Sequence, residues 1–144
     1  MVGLPFLYGD ALYNTAAVVQ GGRILALVPK TMLPNYREFY EKRQFTSGRE
    51  PGAGVREVTV NGALVPFGTD IVFHDEASSF SFGIEICEDL WSVIPPSSML
   101  ALQGARAIFN PSAGTELTGK AAYRRELVKQ QSGRCLCAYV LASA

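Results

Sequence analysis

The stretch Phe80-Ser81-Phe82-Gly83-Ile84-Glu85-Ile86 places large apolar side chains at every second position, with Ser81, Gly83 and Glu85 between them. Helical geometry would scatter those four apolar groups around a cylinder, whereas an extended strand puts them all on one face. This is the clearest strand in the chain. After it, Pro95-Pro96-Ser97-Ser98 opens a helical run to about Gly104, since proline and serine favour helix starts. Ala105 to Asn110 then reads as strand, Leu117 to Ser132 as helix and Cys135 to Leu141 as a last apolar strand. Strand, helix, strand, helix, strand implies a layered α/β sheet.

The first half has a different grammar. Asn14 to Gln20 and Arg23 to Pro29 are apolar runs around Gly21-Gly22, the pattern of a tight hairpin whose turn needs positive φ. Val2 to Phe6 reads as the interior of a domain rather than as a leader. Thr31 to Arg49 mixes aromatic and charged residues, with Pro34 breaking regularity, and reads as a long irregular loop holding at most a turn of helix. Arg49 to Gly54 looks like an exposed turn. Val55 to Val65, punctuated by Asn61-Gly62, and Asp70 to His74 read as further strands.

Composition narrows the function classes. The 144 residues are 48% apolar, enough for one packed core, and 13 basic residues balance 13 acidic ones. No basic stripe is present, which argues against nucleic acid as a partner. The apolar runs are too short to span a bilayer, so no membrane partner is expected. Three cysteines without paired spacing suggest no disulfide framework and a reducing, cytoplasmic setting.

Cys87 closes the alternating strand, where a rigid strand end positions a side chain and the turn opens it to a ligand. A buried, inert cysteine would fit the same position. Its neighbours Glu85, Glu88 and Asp89 would raise a thiol's pKa and so do not help a nucleophile. Lys30 also follows a strand end. A lysine there is usually solvated, but one turned inward stabilises the oxyanion formed when a thiolate attacks an amide. Three other patterns carry less. Gly114 to Ala121 matches a phosphate-binding loop except that Ala121 lacks the hydroxyl for magnesium. Cys135 and Cys137 would share one face of a strand, without the further ligands a zinc site needs, so no metal is expected. His74, the single histidine, lies in an expected strand with no motif for a Cys–His pair.

Two blocks together are more specific. Lys30-Thr31-Met32-Leu33-Pro34-Asn35-Tyr36-Arg37-Glu38-Phe39-Tyr40-Glu41-Lys42-Arg43-Gln44-Phe45, followed by Gly83-Ile84-Glu85-Ile86-Cys87-Glu88-Asp89-Leu90-Trp91, resembles the amidase (glutaminase) domain of glutamine-dependent NAD synthetases. That domain is a branch of the nitrilase, or carbon–nitrogen hydrolase, superfamily. Asn110-Pro111-Ser112-Ala113, and Gly119-Lys120 with Arg124-Arg125, resemble its later block. The resemblance implies a nitrilase-like α-β-β-α sandwich, present over residues 1–144 as a partial, N-terminally truncated domain. It implies Cys87 as the nucleophile on the glutamine carboxamide and Lys30 as the oxyanion stabiliser. Tyr36, Gly114 and Lys120 would line the glutamine site, with Lys120 facing the α-carboxylate. Serine is common at the position of Gly114. Glu38 would be a second glutamate supporting the site.

The same resemblance implies a general-base glutamate in a part before Met1, and a following synthetase domain that alone uses ATP and Mg to make NAD. The amidase part itself needs no cofactor. The chain alone is then expected to be inactive, and the parent a homo-oligomer that takes L-glutamine. Two other readings stay open. One is a stand-alone nitrilase-superfamily amidase acting on another small amide, which the Tyr36-Arg37-Glu38-Phe39-Tyr40-Glu41 run disfavours. The other is a non-catalytic fragment that only folds or assembles with partner chains.

Overall fold

The computed structural model describes residues 1–49 and 56–143, and it divides into two compact units, Met1–Thr69 and Asp70–Ala144. The first unit is built on a three-stranded antiparallel sheet, β1 (Val2–Tyr8), β2 (Ala11–Gln20) and β3 (Arg23–Pro29), in that spatial order. The β2–β3 hairpin turns through Gly21 and Gly22 at φ 55° and 77°. Both central residues have positive φ, as a two-residue hairpin turn that follows the strand twist requires. A register shift at Val18/Val19 marks a bulge in this pair. The opening Val2–Tyr8 segment is an edge strand, paired to β2 along its full length.

A second hairpin, β4 (Glu57–Val60) and β5 (Ala63–Pro66), turns at Asn61-Gly62, where Asn61 takes φ 49° and Gly62 φ 79°. The strand expected from Val55 therefore splits in two, with Val55 itself outside the described residues, as is the Glu50–Gly54 part of the expected turn. Leu27 and Phe67 form a parallel bridge that ties this hairpin to β3. Tyr13, Ala17, Leu27, Val58, Val65 and Phe67 make the core, with Tyr13 edge-on to Phe67 at 5.1 Å between ring centres. Between Pro29 and Arg49 the chain is irregular apart from a 3₁₀ turn, Glu41–Arg43, as the aromatic and charged loop predicts.

The second unit carries a four-stranded sheet in the order β6 (Phe73–His74), β7 (Ser81–Ile84), β8 (Ala107–Ser112), β9 (Ala138–Ser143). β7, β8 and β9 run parallel, and β6 is antiparallel to β7. The two crossovers are α1 (Pro96–Leu102) and α2 (Lys120–Cys135). The α/β order read from the sequence holds, with boundaries displaced by two or three residues. Two expectations change. The Asp70–His74 strand is reduced to Phe73–His74. Cys135 and Cys137 do not share a strand face, because Cys135 ends α2 and Leu136 takes a left-handed cap at φ 51° before β9 begins. Burial raises both thiols, Cys137 up to about 11, so neither is a ready thiolate at neutral pH.

Leu100, Ala105, Ile108 and Cys137 form the core under the helices. Gly83 explains how close α1 lies to β7. A Cβ built on it would stand 2.8 Å from Leu100 Cδ1 and 3.1 Å from Leu100 Cβ, tighter than real carbons approach. Gly3, in contrast, has open space where its Cβ would be. Gly83→Ala is therefore expected to cost about 1–3 kcal/mol through overpacking, whereas Gly3→Ala leaves stability within about 0.5 kcal/mol. Thermal unfolding followed by the fluorescence of Trp91, the single tryptophan, checks this. Equal midpoints for the Gly83 variant and the parent would refute the packing account.

Candidate active site

Cys87 stands where β7 has ended and the chain turns. Ile86 is still extended, at φ −116° and ψ 117°, and Cys87 then enters the left-handed region at φ 47° to begin a 3₁₀ turn, Cys87–Trp91. That conformation costs a residue with a Cβ on the order of 1–2 kcal/mol, so neighbouring contacts have to hold it. Two side chains do so. Asp89 reaches back, and its Oδ2 accepts the Ile86 amide at 2.9 Å. Asn110, fully buried in β8, accepts the Cys87 N–H on Oδ1 at 2.8 Å and turns its Nδ2 toward the Cys87 carbonyl at 3.4 Å. The backbone of Cys87 is thereby clamped from both sides, and its residue is half-buried at the turn.

Behind the clamp runs a buried polar chain. Asn110 Nδ2 also donates to the Tyr139 hydroxyl at 2.9 Å, and Tyr139 donates to Glu85 Oε1. The other Glu85 oxygen accepts the Ser97 amide at 2.7 Å, in the first turn of α1. Gln131 of α2 donates to Ser97 Oγ and Ser98 Oγ, each at 3.0 Å. Burial pushes the Glu85 carboxyl up, opposed by the bonds from Tyr139 and Ser97, while burial and the neighbouring carboxylate keep Tyr139 protonated. With both oxygens engaged, Glu85 is a structural acceptor rather than a base for the thiol.

Lys120 opens α2, just after Gly119 at φ 82°. Its ammonium lies 3.3 Å from Thr115 Oγ1 and 5.9 Å from the centre of the Trp91 ring, which stacks on Tyr123. A Cβ on Gly114 would stand 3.9 Å from Lys120 Nζ. Gly114, Lys120 and Trp91 thus gather at one place in the second unit, beside the Cys87–Trp91 turn. A cation above an aromatic face suits a small zwitterionic or carboxylate ligand. Trp91 was part of the recognised block but had no role assigned from the sequence.

In the first unit, Lys30 follows β3 directly and is 1% exposed. Its backbone is fixed at both ends, by its N–H to the Asn14 carbonyl at 2.8 Å and by the Gly48 N–H to its own carbonyl at 2.9 Å. The ammonium is gripped by both oxygens of Glu41, at 2.7 and 2.8 Å. A buried lysine needs such a partner, since an unpaired charge in a low-dielectric interior costs several kcal/mol. Glu41, eleven residues on, was not singled out from the sequence. Glu38 and Tyr36 are exposed, and Tyr36 meets the Phe39 ring edge-on at 5.8 Å. His74 is exposed on the edge strand β6. Among the described residues no cluster of His, Cys, Asp and Glu could hold a metal ion, and no helix is long and apolar enough to cross a membrane.

Comparison with known proteins adds a lineage. No protein-family model matches the chain. A glutamine-dependent NAD(+) synthetase of Mycobacterium tuberculosis is 44% identical over 146 residues, covering 100% of this chain and 21% of that protein. The namesake enzyme of Aquifex aeolicus is 34% identical and covers 96% of this chain. The chain spans about a fifth of the length of these curated relatives. Among solved structures, a glutamine-dependent NAD(+) synthetase from Cytophaga hutchinsonii superposes with TM-score 0.82 at 32% identity, covering 99% of this chain and 22% of that one. An amidase of the nitrilase superfamily from Nesterenkonia superposes with TM-score 0.65 at 17% identity over 99% of this chain and 47% of that one. The fold is nitrilase-like.

Two outcomes follow from the buried charges. Glu41→Gln leaves the Lys30 ammonium without its counter-charge and is expected to destabilise the first unit by about 1–3 kcal/mol, less than for a fully buried pair because Glu41 is partly exposed. Lys30→Met with Glu41→Gln should recover most of that loss in denaturant unfolding. No recovery would mean the pair is not what the site depends on. Glu85 gives a pH dependence. Its folded-state value lies above the ordinary 4.5, so the native state binds the extra proton and stability rises as pH falls through that window. The thermal midpoint reported by Trp91 should therefore climb as pH falls toward that ordinary value, and Glu85→Gln should flatten the slope. An unchanged slope would remove Glu85 as its source.

Proposed function

We propose that this chain, homologous over its whole length to one segment of the glutamine-dependent NAD(+) synthetases, carries the nucleophile and oxyanion lysine of a glutamine amidase. One observation supports this most. Cys87 is held in a left-handed turn at a strand end by buried partners, which is strain that an inert core cysteine does not need. The buried and counter-charged Lys30 fits the second role better than a solvated lysine would.

On this reading the Cys87 thiolate attacks the side-chain carboxamide carbon of glutamine. The carbonyl electron pair moves onto oxygen, and the Lys30 ammonium stabilises that oxyanion. Glu41 holds the Lys30 amine in place through both carboxylate oxygens. Collapse of the tetrahedral species breaks the C–N bond, the departing nitrogen takes up the proton that the base removed from the thiol and leaves as ammonia, and a thioester remains on Cys87. Water then cleaves the thioester to glutamate and free thiol. Lys120, above Trp91 and beside Gly114, takes the substrate carboxylate. The glycine at 114 removes a hydroxyl that a serine would offer. The family resemblance implies that the proton acceptor for the thiol is a glutamate outside these 144 residues, and Glu85, committed to Tyr139 and Ser97, does not take its place. The ammonia feeds an ATP-dependent amidation elsewhere in the parent protein.

The test is ammonia release from L-glutamine. The 144-residue chain is expected to release none, and the chain joined to the preceding residues of the Mycobacterium tuberculosis relative is expected to turn over. In that joined protein Cys87→Ala abolishes release, and Lys30→Met lowers kcat by about 10²–10³-fold, the loss seen when an oxyanion donor is removed. Turnover that survives Cys87→Ala would overturn the assignment.

A further inference from the structure

We propose that Glu85 is a positioning residue for Cys87, setting through Tyr139 the orientation of the Asn110 carboxamide that holds the Cys87 backbone. The proposal rests on the reading of Cys87 as the nucleophile, and it concerns a residue two positions upstream that has no place in the chemistry itself.

The physical content lies in the direction of the hydrogen bonds. The Cys87 N–H donates to Asn110 Oδ1, Asn110 Nδ2 donates to the Tyr139 oxygen, and the Tyr139 hydroxyl donates to Glu85. All three bonds point the same way. Both middle members could be reversed, because a carboxamide can flip and a hydroxyl proton can rotate. The ends cannot. The Cys87 N–H is only a donor, and an ionised carboxylate is only an acceptor. Glu85 therefore fixes the Tyr139 proton toward itself and leaves the tyrosine oxygen facing Asn110. That oxygen then needs a donor, so Nδ2 faces Tyr139 and Oδ1 faces Cys87.

Asn110 is 0% and Glu85 1% exposed, so water cannot make up a bond that is lost in between. The far side of Glu85 is equally constrained. Its second oxygen accepts the Ser97 N–H, one of the first-turn amides of α1 that have no partner within the helix. An acid of this length bridging a helix start and a tyrosine could be explained as packing alone. Packing alone, however, would be indifferent to which end of the amide faces Cys87.

An isosteric change separates the two accounts. In Glu85→Gln the amide oxygen stays on the Ser97 N–H, which is fixed in the helix backbone, so the new NH₂ meets the Tyr139 oxygen. Tyr139 must then donate to Asn110, whose carboxamide flips and turns its NH₂ against the Cys87 N–H. Two donors now face each other, and the clamp opens.

The measurement is amide hydrogen exchange by NMR on the 144-residue chain near pH 7.5. Glu85→Gln is expected to lower protection of the Cys87 amide by about tenfold or more, while the β7 and β8 amides of Gly83 and Ile108 keep theirs. Tyr139→Phe added to Glu85→Gln removes the hydroxyl that transmits the mismatch, and Cys87 protection should return toward the parent level. Loss confined to the Ser97 amide, uniform loss across the sheet, or no return in the double variant would overturn the proposal. Exchange requires no glutamine, so its outcome is independent of turnover. If the exchange pattern holds while Cys87→Ala leaves hydrolysis intact, the network stands and the nucleophile assignment falls.

Discussion

A single carboxamide braces the turn that carries Cys87. Asn110 bonds the backbone of Cys87 on both its N–H and its C=O, from a buried position in the neighbouring parallel strand. Without it, a residue with a Cβ would have little reason to remain at φ 47°. The sheet makes the clamp possible. Parallel pairing of β7 and β8 brings the end of one strand level with the interior of the other, so a side chain on β8 can serve a turn that follows β7. The helices then close over this arrangement, α1 approaching β7 only because position 83 is glycine.

The buried polar groups of the two units obey the same rule by different means. Lys30 is a charge in an apolar setting and is met by an opposite charge, Glu41. Glu85 is met by neutral donors, a tyrosine hydroxyl and a helix amide. The first solution fixes the lysine amine on both oxygens of one carboxylate. The second holds a carboxyl whose pKa burial drives up and whose two oxygens are taken by the Tyr139 hydroxyl and the Ser97 amide. No buried side-chain nitrogen or oxygen among the described residues lacks a partner, which is the condition under which such networks rigidify a site rather than weaken it.

Much of the architecture was legible beforehand, and for identifiable reasons. The alternation from Phe80 to Ile86 signals a strand because side chains there have a period of two, although β7 ends at Ile84 since Asp89 captures the Ile86 amide and starts the turn. Gly21-Gly22 announces a hairpin because few other residues accept positive φ, whereas Asn61-Gly62, read only as punctuation in a strand run, proves to be a second hairpin turn. The thiol pair at Cys135 and Cys137 was misplaced onto a strand, as helix and strand composition are alike in that short run and the left-handed cap at Leu136 has no sequence signature. The nitrilase-like fold followed from recognisable blocks, not from periodicity.

Local pattern in the chain was enough to specify where strands, hairpins and helices form and to mark Cys87 and Lys30 as strand-end residues, because dihedral preference and hydrophobic period act over a few neighbours. It could not specify the partners. Glu41 on Lys30, Asn110 on Cys87 and Tyr139 on Glu85 are separated by 11, 23 and 54 residues along the chain. Their bonds exist only once strands lie in register and water has been expelled. Burial then turns each ordinary polar side chain into a group that must be satisfied, and folding alone determines which neighbour satisfies it.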